Sequence, residues 1–473
     1  MPARRCERTR VGFRNPRLRR RTIRDLADRL TVSRIGLWLF IVTTGVFLLS
    51  PIWDLSDARY SMLLSENIIR NHSAYLDAYQ FPEPIRQAER CVSPSAPLQS
   101  TFLTYQLDRV RGNVVYCYPN GTSILSIPFV ALMNELGVHT FNQDGLCNPI
   151  GEAIIQHVLA ALLMAGFTVV VFNTAAQIVA VGPSLIVAVG TAFGTQVWSS
   201  ASRIMWSHTW LIFLGGLVAY YMLGRETGWI KRAHPIALAT LLSWMYLVRP
   251  TGAIPVLCVT IYVIAFWPRD FIAYSLTGLA WLAGFVWYSW FTFGKLIPDY
   301  YLDSRISINH LASTLPAILI SPSRGLFIFV PALIFVFYLL IRYWTTVPYP
   351  RLAILSLSIV TIQTVLVALW PNWWGGYSYG PRLLADTLPW LALLAILGCA
   401  ARLRTAKFSR SEVVAAFALL ALSIAINGRG ALSWPSAKWN VVVDIDRHPQ
   451  RAWDWSYPQF MAGLIAPPNR NRP

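Results

Sequence analysis

The chain contains 473 residues, of which 55 % are hydrophobic and 13 % charged, and its mean hydropathy is +0.46. A water-soluble protein would carry about 25 % charged residues, so the composition excludes an ordinary soluble enzyme. The net charge of +18 does not indicate a nucleic-acid partner, because half of it lies in residues 1–34, where 12 arginines precede the first apolar run. Such a segment is typical of a cytoplasmic tail next to a membrane span.

Long apolar runs predict an all-α polytopic protein of the cytoplasmic membrane with about 11 transmembrane helices. Basic loops at 224–234, 267–270, 342–351 and 401–410 interrupt these runs, and the positive-inside rule places them with the N-terminus on the cytoplasmic side. The predicted spans are 36–52, 153–173, 183–199, 207–224, 235–248, 252–267, 271–292, 322–341, 352–370, 383–400 and 411–427.

The number of spans also decides which segments lie outside. With this count, the long loop 53–152 reaches the outer face. The apolar stretch 121–137 would be a twelfth span and would move every basic loop outside, so we interpret it as a helix at the interface or packed against the bundle. The predicted organisation is a basic cytoplasmic tail 1–34, a membrane domain 35–427 that includes the partly helical outer loop 53–152, and an outer tail 428–473.

Two aspartates, Asp54 and Asp57, open the outer loop. The following residues 57–71 predict an amphipathic helix with one buried stripe formed by Tyr60, Leu63, Leu64, Asn67 and Ile68. Asp57 at the start of this helix could cap free backbone N–H groups or carry chemistry, and the spacing leaves both alternatives open. Two carboxylates on neighbouring helical positions also permit a divalent metal, but without a recognisable third ligand we assign none.

Four arginines lie at the outer ends of predicted spans, against the charge bias that orients the chain: Arg203, Arg249, Arg324 and Arg382. Polar groups at membrane depth are expensive and usually have a partner. Because guanidinium groups bind phosphate oxygens bidentately, the expected partner is an anionic lipid phosphate.

The motifs "YPNGTS" (118–123), "SPSRGLF" (321–327) and "WWGGYSYGPR" (373–382) follow one another on this outer face. With them, the chain after residue 35 resembles the bacterial multipass glycosyltransferases of the C-type (GT-C) superfamily, relatives of the dolichyl-phosphate-mannose protein mannosyltransferases. The resemblance implies transfer of a hexosyl or pentosyl group from a polyprenyl-phosphate carrier to an acceptor hydroxyl on the outer face, usually with inversion. The implied partners are the lipid-linked donor, membrane lipid and an acceptor glycan, lipid or protein, and no cofactor is implied.

The resemblance also implies residue roles. An aspartate of the first outer loop would be the base, which falls on Asp57 with Asp54 as the alternative. Groups that receive the lipid phosphate would be Arg382 first, then Arg203, with Arg324, Arg249, His208 and Tyr379 as further candidates. Candidates for sugar or acceptor binding are Tyr116, Tyr118 and Trp374. A structural role for His208 and interface anchoring by the tyrosines are the alternatives.

Two further questions stay open in the sequence. Cys91, Cys117 and Cys147 fall in the outer loop, where they allow at most one internal disulfide with three possible pairings. A polytopic transporter or lipid-linked-sugar flippase is the alternative class, and short broken segments around Arg249 and Pro250 favour it. The charges, however, gather at outer span ends instead of mid-span.

Overall fold

A computed structural model describes residues 22–53, 55–87, 91, 104–231, 234–302, 306–442 and 444–467. Of these described residues, 69 % are helical. The α-helices are α1 (Thr22–Leu49), α2 (Ser61–Asn71), α3 (Gly121–Glu135), α4 (Pro149–Ala176), α5 (Val181–Phe193), α6 (Ser207–Glu226), α7 (Pro235–Val248), α8 (Ala253–Phe266), α9 (Phe271–Phe293), α10 (Asp299–Leu302), α11 (Leu311–Ile320), α12 (Leu326–Phe329), α13 (Ala332–Arg342), α14 (Pro350–Ala368), α15 (Leu388–Thr405), α16 (Arg410–Leu432) and α17 (Trp434–Val442). Three short strands are β1 (Ile85–Arg86), β2 (Thr104–Val110) and β3 (Asn113–Tyr116).

The prediction of a helical membrane protein is confirmed at this level. Among the described residues, six helical segments are long and apolar enough to cross a membrane: Thr31–Leu49, Pro149–Ala176, Pro268–Phe293, Pro350–Ala368, Arg382–Thr405 and Arg410–Leu432. Five shorter apolar segments accompany them: Val181–Phe193, Pro235–Val248, Pro250–Phe266, Ile308–Ile320 and Ala332–Arg342. The predicted span 322–341 is not one helix, because the chain breaks between α12 and α13 at Pro331.

Helix starts follow local sequence signals. Asn148 caps α4 by accepting a hydrogen bond from the backbone N–H of Gly151 (3.1 Å), and Pro149 fills the first helical position, where no N–H is needed. Ser409 and Glu412 form a reciprocal capping box at the start of α16. These caps satisfy backbone donors that would otherwise lie unpaired next to lipid.

Connections between the helices meet at two opposite ends of the bundle. One end, which we call the loop end, joins Asp57 to Arg382 and Arg249 to Asp386. The other, which we call the basic end, places Arg225 beside Asp270 and stacks Arg351 over Phe266. Successive helices from α4 to α9 and from α13 to α16 therefore alternate in direction, as in a bundle that repeatedly crosses a membrane.

The loop 53–152, which we call the outer loop after its predicted side, contains a small sheet that the sequence did not predict. β2 pairs antiparallel with β3 and parallel with β1. The hairpin turn between β2 and β3 consists of Arg111 and Gly112, both with positive φ (54° and 86°), as a type I′ turn requires. This sheet packs with α2 around a core that includes Tyr60, Leu107 and Tyr116.

Helix α2 buries the predicted stripe, but from Ser61 to Asn67 it buries its other faces as well, and it lacks the predicted cap. Tyr60, Leu63, Leu64 and Asn67 are buried and Ile68 is half-buried. The side chain of Asp57 makes no capping bond to this helix. Instead, the buried carboxylate of Glu152 on α4 accepts hydrogen bonds from the backbone N–H groups of Met62 (2.9 Å) and Leu63 (3.0 Å). The capping alternative for Asp57 is therefore wrong, and Asp57 is available for other contacts.

Replacing Glu152 with alanine should loosen the outer loop. Two buried N–H groups of α2 would lose a charged acceptor, at a cost of about 2 kcal/mol or more. We expect the midpoint of thermal unfolding of the purified protein to fall by several degrees. Glu135→Ala, at the exposed end of α3, should leave it unchanged. An unchanged midpoint in Glu152→Ala would show that other contacts hold α2.

Candidate functional site

A cavity of about 390 Å³, measured with the space that is continuous with solvent, lies at the loop end beside Asp57. The connections that follow α1, α5 and α7 contribute to it, together with the segments before α3 and α15. Its polar and aromatic lining consists of Asp57, Tyr116, Tyr118, Thr122, Trp206, Ser207, His208, Arg249, Tyr300 and Arg382. Six residues proposed from the sequence, namely Asp57, Tyr116, Tyr118, His208, Arg249 and Arg382, thus lie around one cavity.

Asp57 is held by groups from three separate segments. One carboxylate oxygen, Oδ1, accepts hydrogen bonds from the hydroxyls of Tyr105 (3.2 Å) and Tyr118 (3.3 Å). The other, Oδ2, faces the guanidinium of Arg382 at 3.4 and 3.5 Å. The hydroxyl of Tyr116 donates to the backbone carbonyl of Asp57 (3.0 Å). The carboxyl group keeps 35 % of its surface exposed, so a further molecule can reach it.

The tyrosines around Asp57 stay neutral at ordinary pH. Burial raises the pKa of Tyr105 and Tyr118 well above 10, and the negative charge of Asp57 raises both further. Burial likewise raises the pKa of Tyr116. Their hydroxyls therefore remain protonated hydrogen-bond donors, which orient the carboxylate without competing for its charge.

The guanidinium of Arg382 has N–H groups that the protein leaves available to a ligand. Its guanidinium stacks over the ring of Trp206 (4.1 Å to the centroid), and the distances to Asp57 are long for a charge-assisted hydrogen bond. Its buried Nε–H has no hydrogen-bond partner in the described part of the chain. Buried donors are usually satisfied, so this one indicates a missing acceptor. A bound anion in the cavity would supply that acceptor.

Asp386, which the sequence analysis did not select, organises the opposite wall. Its buried carboxylate accepts from His208 Nδ1 (2.6 Å), Arg249 Nε (2.9 Å) and the hydroxyl of Thr251 (2.7 Å). Arg249 Nη1 also donates to Ser207 (2.7 Å). The signal that could have found Asp386 is an ionisable residue at the start of an apolar span, which usually marks a functional network.

Four other sequence candidates lie outside the cavity. Arg203 donates to the backbone carbonyls of Phe47 (3.0 Å), Ser50 and Ile52 (2.5 Å), and so closes the end of α1. Tyr379 donates to the carbonyl of Ile426 (2.6 Å), and Trp374 donates through Nε1 to Asp446 (2.7 Å). The alternative base, Asp54, lies outside the described residues.

The fourth of these candidates, Arg324, fastens the outer tail. Its guanidinium donates to the carbonyls of Trp374 (2.6 Å) and Gly376 (3.2 Å) and to the side chains of Asn440 (2.8 Å) and Gln459 (2.7 Å). Gly375 and Gly376 have φ of 72° and 64°, a conformation that favours glycine and that shapes this carbonyl-bearing turn. Arg324 therefore has a full set of protein acceptors.

A second cavity adjoins the first. It has a volume of about 880 Å³, again measured with its open space, and we call it the aromatic cavity. It lies between α7, α9 and the start of α3, and it shares Tyr118, Pro119 and Tyr300 with the polar cavity. Further lining residues are Trp244, Trp281, Phe285, Trp287, Tyr288 and Tyr301. An apolar space thus meets a charged one at the Tyr118–Tyr300 ring pair (5.2 Å between centroids).

Within the described ranges, no group of three or more His, Cys, Asp and Glu side chains is placed to hold a metal ion. Comparison with known proteins gives no match to a protein-family model, to a curated protein or to a solved structure. The geometry of the site is therefore the guide to its chemistry. The partly exposed carboxylate of Asp57 shares one cavity with Arg382, Arg249 and His208.

The three cysteines of the outer loop resolve into one disulfide and one free thiol. Cys91 pairs with Cys117, whose chain neighbours Tyr116 and Tyr118 line the site. Cys147 is free, and burial raises the pKa of its thiol to about 12. Because the thiolate is the reactive form, Cys147 should react slowly with alkylating reagents near neutral pH.

Peptide mapping without reduction should recover Cys91 and Cys117 as one cross-linked pair, with Cys147 unmodified after brief alkylation at pH 8. A Cys91→Ser variant should yield Cys117 as a free thiol that is alkylated after denaturation without reduction, and it provides the matched control. A cross-link that contains Cys147 would contradict the pairing and the arrangement of Tyr116 and Tyr118 that depends on it.

Proposed function

We propose that the protein is a membrane glycosyltransferase that moves a sugar from a polyprenyl-phosphate carrier to an acceptor hydroxyl on the outer face. The observation that carries the proposal is the polar cavity in which the Asp57 carboxylate faces Arg382, with Arg249 and His208 beside it. A carboxylate suits proton removal from a hydroxyl, and cationic donors suit a phosphate that gains charge as it leaves.

The proposed reaction is a single displacement. The acceptor oxygen attacks the anomeric carbon, its proton passes to Asp57, and the bond between that carbon and the phosphate oxygen breaks. The polyprenyl phosphate leaves as an anion, and the sugar configuration inverts because no covalent enzyme intermediate forms. Since the arginine fork can bind phosphate bidentately, the incoming phosphate draws Arg382 away from Asp57 and leaves the carboxylate free to accept a proton.

The neighbouring aromatic cavity supports the lipid part of the proposal. Its lining is almost entirely apolar, and it meets the polar cavity at Tyr118 and Tyr300. A ligand with a hydrocarbon tail and a phosphate head would bury the tail among Trp244, Phe285 and Tyr301 while the head reaches Arg382. Pockets of this kind, apolar with a few convergent polar groups, are typical ligand sites.

The proposed orientation places the loop end outside the cell and the basic end inside, with about 11 crossings. The Cys91–Cys117 disulfide supports it, because disulfides persist in oxidising compartments and are rare in the cytosol. Both the site and the tail from 433 onward belong to the loop end, as the contacts of Arg324 with Asn440 and Gln459 show.

Topology tags check this orientation directly. A reporter inserted at position 230, in a basic loop, should report the cytoplasm, and a reporter after residue 473 should report the outer side. The number of crossings between them is odd in the proposed arrangement. Two reporters on the same side would mean that the crossing count, and with it the outer placement of Asp57, is wrong.

Asp57→Asn tests the base. Asparagine keeps the side-chain oxygen that accepts from Tyr105 and Tyr118 but cannot take up the proton. We expect transfer, followed as loss of a labelled polyprenyl-phosphate sugar in the presence of a membrane extract, to fall by roughly 10² or more at matched expression. Asp144→Asn, an exposed aspartate of the same loop, should retain full activity. Normal turnover in Asp57→Asn would remove this residue from catalysis.

Arg382 tests the phosphate site. Arg382→Ala should lose donor binding, measured with a labelled polyprenyl phosphate, and Arg382→Lys should restore it poorly because an ammonium offers no planar fork. Arg109→Ala, exposed on the outer loop, is the control for loss of one positive charge. Undiminished donor binding in Arg382→Ala would assign the phosphate to Arg249 and His208 instead.

One observation favours a transporter or flippase as the second candidate. Helices α7 and α8 are each 14 residues long and meet at Arg249, which lies in the cavity. Broken helices at a binding site are typical of transporters. The two classes differ in outcome: a flippase moves the labelled lipid between leaflets and leaves its sugar attached, whereas the proposed enzyme separates the sugar from the lipid phosphate.

A further inference from the structure

A large apolar space lies away from the site. It measures about 1180 Å³ with its open space and runs between α5, α13, α15 and α16; we call it the α5–α16 groove. Lining residues that represent the four helices are Ile186, Gly190, Val336, Leu391, Ala395 and Phe417. It shares no lining residue with the polar cavity or the aromatic cavity.

The groove accepts hydrocarbon and nothing polar. Two threonines in its lining, Thr191 and Thr195, donate their hydroxyls to the backbone carbonyls one turn earlier, at 2.8 and 2.6 Å. No charged residue lines it. Along α15 the lining extends from Leu388 to Cys399, about 16 Å at 1.5 Å per residue. That length is close to half of a hydrocarbon core of about 30 Å, which is the depth of one leaflet.

A neutral ion pair lies beside the groove at the basic end, next to the lining residue Phe408. Arg402 and Glu412 form a buried ion pair (2.8 Å), and Tyr343 donates to Glu412 (3.0 Å). The ring of Phe408, which lines the groove, packs against Phe335 (6.3 Å between centroids). Because the charges of Arg402 and Glu412 balance each other, any net charge at this mouth comes from other residues.

Three exposed cations close in sequence to lining residues supply that charge. Arg342 lies one helical turn beyond the lining residue Leu339 on α13. Arg410 lies three residues before the lining residue Val413 on α16, and Lys407 directly precedes Phe408. Residues at this helical spacing share a face. The single acidic residue between 401 and 413 is Glu412, which pairs with Arg402, so the mouth is positively charged.

We propose that the α5–α16 groove binds an anionic phospholipid of the leaflet at the basic end. An acyl chain fills the groove, and the headgroup phosphate lies among Arg342, Lys407 and Arg410. Basic pockets between helices on the cytoplasmic side have this chemistry. A polyprenyl-phosphate donor does not fit the same place, because its phosphate must reach Asp57 at the loop end, while the cations of this groove lie at the opposite end.

The test uses the full-length protein in liposomes that contain a trace of phospholipid with a photoreactive diazirine acyl chain. The probe carries either a phosphatidylglycerol or a phosphatidylcholine headgroup, and labelled peptides are mapped by mass spectrometry. We expect labels on α5, α13, α15 and α16, several times stronger with phosphatidylglycerol. Equal labelling by the two headgroups would overturn the proposal, as would cross-links in this groove to a second copy of the chain.

Two sets of variants separate the headgroup from the tail. Lys407→Gln with Arg410→Gln should remove most of the preference for phosphatidylglycerol, since each cation near the surface is worth about fivefold. Lys231→Gln with Arg269→Gln removes two exposed cations at the same end away from the groove and should change nothing. Ala395→Phe, which fills the groove, should lower labelling by both lipids. A headgroup preference that survives the first pair, or labelling that survives Ala395→Phe, would refute the assignment.

Discussion

The buried carboxylate of Asp386 is the interaction on which the loop end of the protein depends. An isolated charge at this depth would be very unfavourable, so it requires a complete set of donors. His208, Arg249 and Thr251 supply them, and Gln363 lies at 3.4 Å. Because these donors come from α6, the α7–α8 break and α14, one negative charge fixes the relative positions of four segments and aims His208 and Arg249 at the cavity.

The four arginines selected from the sequence form two groups that differ in the hydrogen-bond acceptors around them. Arg203 and Arg324 are surrounded by backbone carbonyls and amide side chains, so their guanidinium groups tie loops together. Arg249 and Arg382 face a cavity, and each is held by a single carboxylate. A guanidinium with five donors serves either purpose. What distinguishes a structural arginine from a binding one is the supply of protein acceptors, which only the folded chain reveals.

The features that could be predicted from the sequence are those that depend on residues close together in the chain. The position of almost every apolar helix and the stripe of α2 follow from local hydrophobic patterns. The β2–β3 hairpin was not predicted, because Arg111 in its turn adopts a positive φ that its residue type rarely takes. The roles of the Glu152 and Asp386 carboxylates were not predicted, because their partners are distant in sequence. Met62 lies 90 residues from Glu152, and His208 lies 178 residues from Asp386. Asp57 and Arg382 lie in contact in the fold, but their separation of 325 residues left the cavity itself unpredictable from the sequence.

Helix α9 stands at the edge of the bundle, with only 11 % of its apolar window buried. Trp287 on this helix lines the aromatic cavity and is 64 % exposed, so a single layer of side chains separates that cavity from the surroundings. The consequence is that α9 is the thinnest wall of the aromatic cavity. Loss of the Trp287 side chain would open this cavity toward Tyr118 from the side of the bundle, while the more deeply buried helices α4 and α15 would stay in place.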